Sequence, residues 1–101
     1  MTMSLIRYRT RPEAAAENRR LITHVFDALR AQPLPDVRYL VLELPDGHFL
    51  HLVDRDPGAT GSGIPELPAF KAFRASLEER CLEPPQPASA TLVGNHGWLP
   101  R

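Results

Sequence analysis

A histidine beside a phenol and a carboxylate can take a proton from an acidic organic molecule or hold its oxygen in place. His51, Tyr39 and Glu43 form such a set if the runs Val37–Leu44 and His48–Asp54 pair as a hairpin, because all three then share one sheet face with Phe49. Tyr39 and His51 are the candidate catalytic pair, with Phe49 and Glu43 as candidate ligand contacts. The structural reading of His51 stands beside this one: a histidine satisfied by Glu43 or by backbone at an interface.

Arg7 and Arg9 alternate with Ile6 and Tyr8, so both arginines point to one face of the first strand. An arginine buried there needs a carboxylate, for which Glu43 is the nearest candidate, or it contacts an anionic substrate. Trp98 shares a face with His96 near the C-terminus, where it either walls an aromatic-binding pocket or packs on its own helices or a partner subunit. His24 falls on the polar side of a helix and His48 beside a turn, both expected in solvent. His48 and His51 lie on opposite faces of one strand and cannot chelate one metal, and no Cys/His set has zinc-ligand spacing. Cys81 sits on an apolar stripe, where a thiol acts as a small hydrophobe.

The elements that must position these residues are legible from periodicity. Leu5–Thr10 reads as a strand. Thr10 and Glu13 have capping-box spacing, with Pro12 in the first turn of a helix that ends near Gln32. Leu21, Ile22, Val25, Phe26 and Leu29 form its apolar stripe. In the hairpin, Pro45 has no N–H for a two-residue turn, which favours a type I turn at Pro45-Asp46 with Gly47 as the left-handed residue. That choice pairs Leu44 with His48, Leu42 with Leu50, Leu40 with Leu52, and Arg38 with Asp54. Arg55–Gly63 is read as a loop, its Gly58–Gly63 part a candidate lid over the pocket. A second helix over Leu67–Leu82 carries Phe70, Phe73, Leu77 and Cys81, with Pro84, Pro85 and Pro87 ending it, and Ala88–Leu99 is the last strand. The result is an α+β, ferredoxin-like β-α-β-β-α-β plan: a four-stranded antiparallel sheet with two helices on one face, in a single domain over 1–101.

Composition narrows the function. The formal net charge is zero, which gives no electrostatic footprint for nucleic acid or an anionic membrane. No segment approaches the roughly 20 apolar residues of a membrane-spanning helix, and the first ten residues lack a signal-peptide core. Cytoplasmic location is the expectation. Lys71 stands alone beside eleven arginines, a bias of GC-rich bacterial genomes.

Four stretches resemble the dimeric α+β barrel superfamily, in particular the antibiotic biosynthesis monooxygenase-like proteins. They are Arg-Pro-Glu-Ala-Ala-Ala-Glu-Asn-Arg-Arg-Leu from Arg11, Leu-Pro-Asp-Gly-His-Phe-Leu-His-Leu-Val from Leu44, Leu-Pro-Ala-Phe-Lys-Ala-Phe from Leu67, and Val-Gly-Asn-His-Gly-Trp-Leu from Val93. The resemblance implies a homodimer whose two sheets close into a barrel, with a pocket between sheet and helices in each protomer. It also implies oxidation of a small aromatic or quinone-type molecule by oxygen, with no metal or flavin, since the deprotonated substrate supplies the electrons. The haem-degrading branch uses a histidine on its second helix, and Leu67–Leu82 has none. The alternative is a non-catalytic dimeric small-molecule-binding or accessory protein of the same fold. RNA binding fits poorly, because the third strand lacks the aromatic, glycine-containing motif.

Overall fold

The structure is a computed structural model that describes residues 2–58 and 63–98. Strand β1 (Thr2–Thr10) leads through a 3₁₀ turn at Pro12–Ala14 into helix α1 (Ala15–Ala31). Strands β2 (Val37–Glu43) and β3 (His48–Arg55) form the hairpin, helices α2 (Pro68–Ala75) and α3 (Leu77–Arg80) follow, and β4 (Cys81–Thr91) closes the sheet. The strands lie in the order β2-β3-β1-β4 and every neighbouring pair is antiparallel. This is the ferredoxin-like plan read from the sequence.

The hairpin register is the expected one, from Arg38 opposite Asp54 to Glu43 opposite Phe49. Its turn differs in detail. Asp46 also takes a left-handed conformation, φ 66° and ψ 26°, which aspartate tolerates better than most residues. Gly47 is left-handed as well, and a Cβ there would stand 2.9 Å from the Thr10 carbonyl oxygen. Only glycine lets the turn and the end of β1 approach so closely. Thr10 donates its hydroxyl to the Gly47 carbonyl, and Arg9 donates to that of Asp46. Thr10 is thus a strand residue tied to the turn, and the expected capping box does not form: neither Pro12–Ala14 nor α1 has a side-chain cap.

The second half corrects the reading further. The helix breaks at Ser76, and Cys81 is the first residue of β4 instead of the last turn of a helix. Pro84, Pro85 and Pro87 lie inside β4, not after a helix. They are tolerated because β4 is an edge strand and its register against β1 shifts between Arg7 and Arg9, opposite the Pro84-Pro85 pair. The expected strand Ala88–Leu99 ends at Thr91, so His96 and Trp98 belong to no strand.

The core lies between the sheet and the helices. Tyr8 and Phe49 from the sheet meet Ile22 and Val25 of α1, Phe73 of α2 and Leu77 of α3, with Leu21, Phe26 and Leu29 at the margin. The other sheet face shows Leu40, Leu42 and Leu44 about two-fifths exposed, at 38%, 44% and 42%. Among the described residues, no helix is long and apolar enough to cross a membrane.

Candidate active site

Three ring residues meet on the helix-facing side of the sheet. Tyr8 comes from β1, Tyr39 from β2 and His51 from β3. The pairing Ile6–His51 on one side of β3 and Val41–His51 on the other sets each tyrosine two residues from the strand position opposite the histidine. The Tyr8 hydroxyl lies 2.8 Å from His51 Nε2, and the Tyr39 hydroxyl 2.6 Å from Nδ1. His51 is 5% exposed. Phe73 packs on its ring at 5.3 Å, and Phe26 stacks on Tyr39 at 5.0 Å.

Behind Tyr8 stands a buried polar group. Asn18 Nδ2 donates to the Tyr8 oxygen at 2.9 Å, and Arg80 Nε donates to Asn18 Oδ1 at 3.0 Å. Arg80 also donates to the Phe73 carbonyl and the Ser76 hydroxyl, and its guanidinium lies over the Phe73 ring. The Ser76 break between α2 and α3 thus supplies partners to a buried cation.

In front of the rings is an open cavity of about 280 Å³. Tyr8, Tyr39 and His51 contribute its polar side chains of least exposure; Ile6, Val53, Ile64, Pro65, Phe70, Phe73 and Leu77 supply apolar walls, and Ser4, Arg55 and Arg74 complete the lining. Both arginines are exposed, and among the described residues neither side chain has an ion pair or hydrogen bond. Gly58 and Gly63 are described, but the stretch between them, where the lid was expected, lies outside the described residues.

The electrostatics follow from burial. Loss of solvent, with the Arg74 charge as a lesser cause, lowers His51 to a pKa of about 4, so its ring is neutral at pH 7. Burial raises both tyrosines, Tyr39 further through the neighbouring Tyr8, and both stay protonated. Burial also raises the Cys81 thiol, which keeps it an unreactive core group.

Of the expected site residues, Tyr39 and His51 come together. Phe49 is 1% exposed and stacks on Tyr8 at 5.5 Å, in the core and not on the cavity wall. Glu43 does not reach His51 or Arg7. It accepts two hydrogen bonds from Arg19 of α1, which hold its carboxyl below the usual range. Arg7 is exposed on the opposite sheet face, and Arg9 reaches Glu83 at 3.5 Å. Trp98 is 82% exposed and lines a different cavity on that opposite face, with Met3, Leu40, Leu52 and Leu92. His24 is exposed as expected, whereas His48 is half-buried. The expected Arg38–Asp54 pair forms at 3.0 Å, and Arg38 also holds Asp56 at 2.6 Å.

Tyr8, Asn18 and Arg80 were not among the expected site residues. The signal for Asn18 and Arg80 was a polar residue on an apolar stripe: Asn18 precedes Ile22 by four positions, and Arg80 follows Leu77 by three.

No family model matches the chain, and none of the curated proteins does. Solved structures do. A Nitrosomonas europaea protein assigned the name antibiotic biosynthesis monooxygenase superposes with a TM-score of 0.73 over 93% of this chain and 100% of its own, at 10% identity. A Deinococcus radiodurans protein of the same assigned name gives 0.65 over 98% and 99%, at 22% identity. A Nitrosomonas europaea protein of unknown function gives 0.72 over 99% and 94%, at 14% identity. The chain has the fold of the antibiotic biosynthesis monooxygenase-like proteins.

Proposed function

We propose that this chain is a single-domain, cytoplasmic bacterial homodimer that binds a small aromatic or quinone-type molecule above His51 and oxidises it with molecular oxygen, without a cofactor. The observation that carries the reading is the Tyr39–His51–Tyr8 chain lying against an apolar cavity. Flat apolar walls suit an aromatic body, and the Tyr39 hydroxyl is placed to hold its oxygen. Both His51 nitrogens are engaged, so His51 acts through Tyr39 and not as a free base.

The chemistry balances with oxygen alone. A phenol with a hydrogen para to its hydroxyl loses that hydrogen and the hydroxyl hydrogen. One oxygen atom enters the ring as the second quinone carbonyl, the other leaves as water, and the substrate supplies all the electrons. With 1-naphthol as probe, one oxygen molecule is consumed for each 1,4-naphthoquinone formed, and Tyr39→Phe lowers the rate about 100-fold. Binding of 1-naphthol with no oxygen uptake would favour the second reading, a non-catalytic binding protein, which the low proton affinity of His51 supports. Absence of both binding and uptake would overturn both.

The partner expected for the leucine face is a second copy of the chain. Leu42→Asp places a charge at its centre and converts a dimer to a monomer with unchanged circular dichroism. Sedimentation equilibrium reads this directly, and a monomeric parent protein contradicts it.

A further inference from the structure

The buried polar chain has a direction, and that direction selects the ligand. Arginine only donates, so the atom of Asn18 facing Arg80 Nε is the amide oxygen. The amide nitrogen therefore faces Tyr8 and donates to its oxygen. Among the described residues, the Tyr8 hydroxyl touches only Asn18 and His51. Of these two, only His51 Nε2 can accept its proton. A neutral imidazole accepting at Nε2 carries its hydrogen on Nδ1, which donates to the Tyr39 oxygen. Tyr39 has no other partner among the described residues and lines the cavity, so its own proton is left to donate there.

We propose that Arg80 and Asn18 are positioning residues that fix this direction, so that the cavity receives an oxygen that accepts a hydrogen bond, a phenolate or carbonyl, in preference to a hydroxyl that must donate one. Arg55 and Arg74 on the same cavity reinforce the choice, since an anionic oxygen is favoured near cations. The inference rests on the cavity being the ligand site, but its primary test needs neither turnover nor ligand.

Asn18→Asp keeps the shape of the side chain and reverses the logic. The introduced carboxylate accepts from both Arg80 and the Tyr8 hydroxyl. Tyr8 then accepts from His51 Nε2–H, Nδ1 becomes an acceptor, and Tyr39 turns its proton inward. Long-range ¹H–¹⁵N correlation spectra of ¹⁵N-histidine-labelled protein read the tautomer. The expected result is hydrogen on Nδ1 in the parent protein and on Nε2 in Asn18→Asp. Hydrogen on Nε2 in the parent overturns the assignment whether or not the variant folds.

The ligand class is read with 4-nitrophenol, whose phenol and phenolate forms absorb at different wavelengths. The parent enriches the bound dye in phenolate about tenfold over free dye at the same pH, equivalent to one unit of pKa, and Asn18→Asp abolishes the enrichment. Dye bound as the neutral phenol, or not bound, overturns the ligand class while leaving the tautomer result to stand or fall alone. A protein with the expected tautomer and dye spectrum but no oxygen uptake refutes turnover and not this inference.

Discussion

Acidification from pH 7 to about pH 4 removes about 3 kcal/mol of folding stability through His51 alone. In the unfolded chain His51 takes up a proton near its ordinary value of 6.5, whereas in the folded protein it does so only near 4. Between those values the unfolded state binds more protons, so stability is complete above the unfolded value and declines as the pH falls toward the folded one. The physical cause is burial of the ring, which is 5% exposed, with the Arg74 charge a lesser contribution. A charged imidazolium must donate from both nitrogens, and the Tyr8 hydroxyl, already accepting from Asn18, would have to turn its proton away from Nε2, with no other hydrogen-bond partner among the described residues. Urea unfolding at a series of pH values measures the effect. His51→Gln, which does not titrate, loses the slope between pH 6.5 and 4, and the difference between the two proteins isolates His51 from the carboxylates. Equal slopes in both would show that the ring is not held neutral by its surroundings.

Phe73→Ala costs about 3–5 kcal/mol, a large part of the stability of a domain this size. Phe73 is 2% exposed. Its ring touches Tyr8 at 6.4 Å, His51 at 5.3 Å and Phe70 at 5.7 Å between centroids, and lies under the Arg80 guanidinium. Removing it leaves a void between α2 and the sheet that the rigid strands cannot close. It also takes away the surface on which a buried cation rests. The midpoint of urea unfolding should fall sharply with little change in slope. A loss under about 1 kcal/mol would mean that α2 is not anchored through this ring.

The contrast between the two halves of the chain shows what the sequence could reveal. The hairpin register follows from one atom, the hydrogen that Pro45 lacks, and the pairs from Arg38–Asp54 to Glu43–Phe49 are as read. The meeting of Tyr39 and His51 on one sheet face follows from that register. The second half misleads for a related reason: Pro84, Pro85 and Pro87 read as stops for a helix, because proline breaks helices far more often than it sits in strands. Edge position and a register shift, which make prolines harmless in β4, are properties of the assembled sheet and leave no local mark. That error placed Cys81 in a helix and Trp98 beside the pocket.

Thr10 shows the same limit on a smaller scale. Its spacing to Glu13 suits a cap, but the turn at Gly47, distant in sequence, holds its hydroxyl instead. Glu43 was drawn to His51 by the shared sheet face, while the bidentate donor that holds it lies on α1. Tyr8, Asn18 and Arg80 were visible as types but not as a set, since three separate elements bring them together.

A crystal structure of the protein grown with 1,4-naphthoquinone bears on all of this at once. The expected result is the ligand between Phe70, Phe73 and the sheet, with one carbonyl oxygen within hydrogen-bond distance of the Tyr39 hydroxyl. A ligand bound on the leucine face beside Trp98, with the cavity above His51 empty, would contradict the assignment of the site.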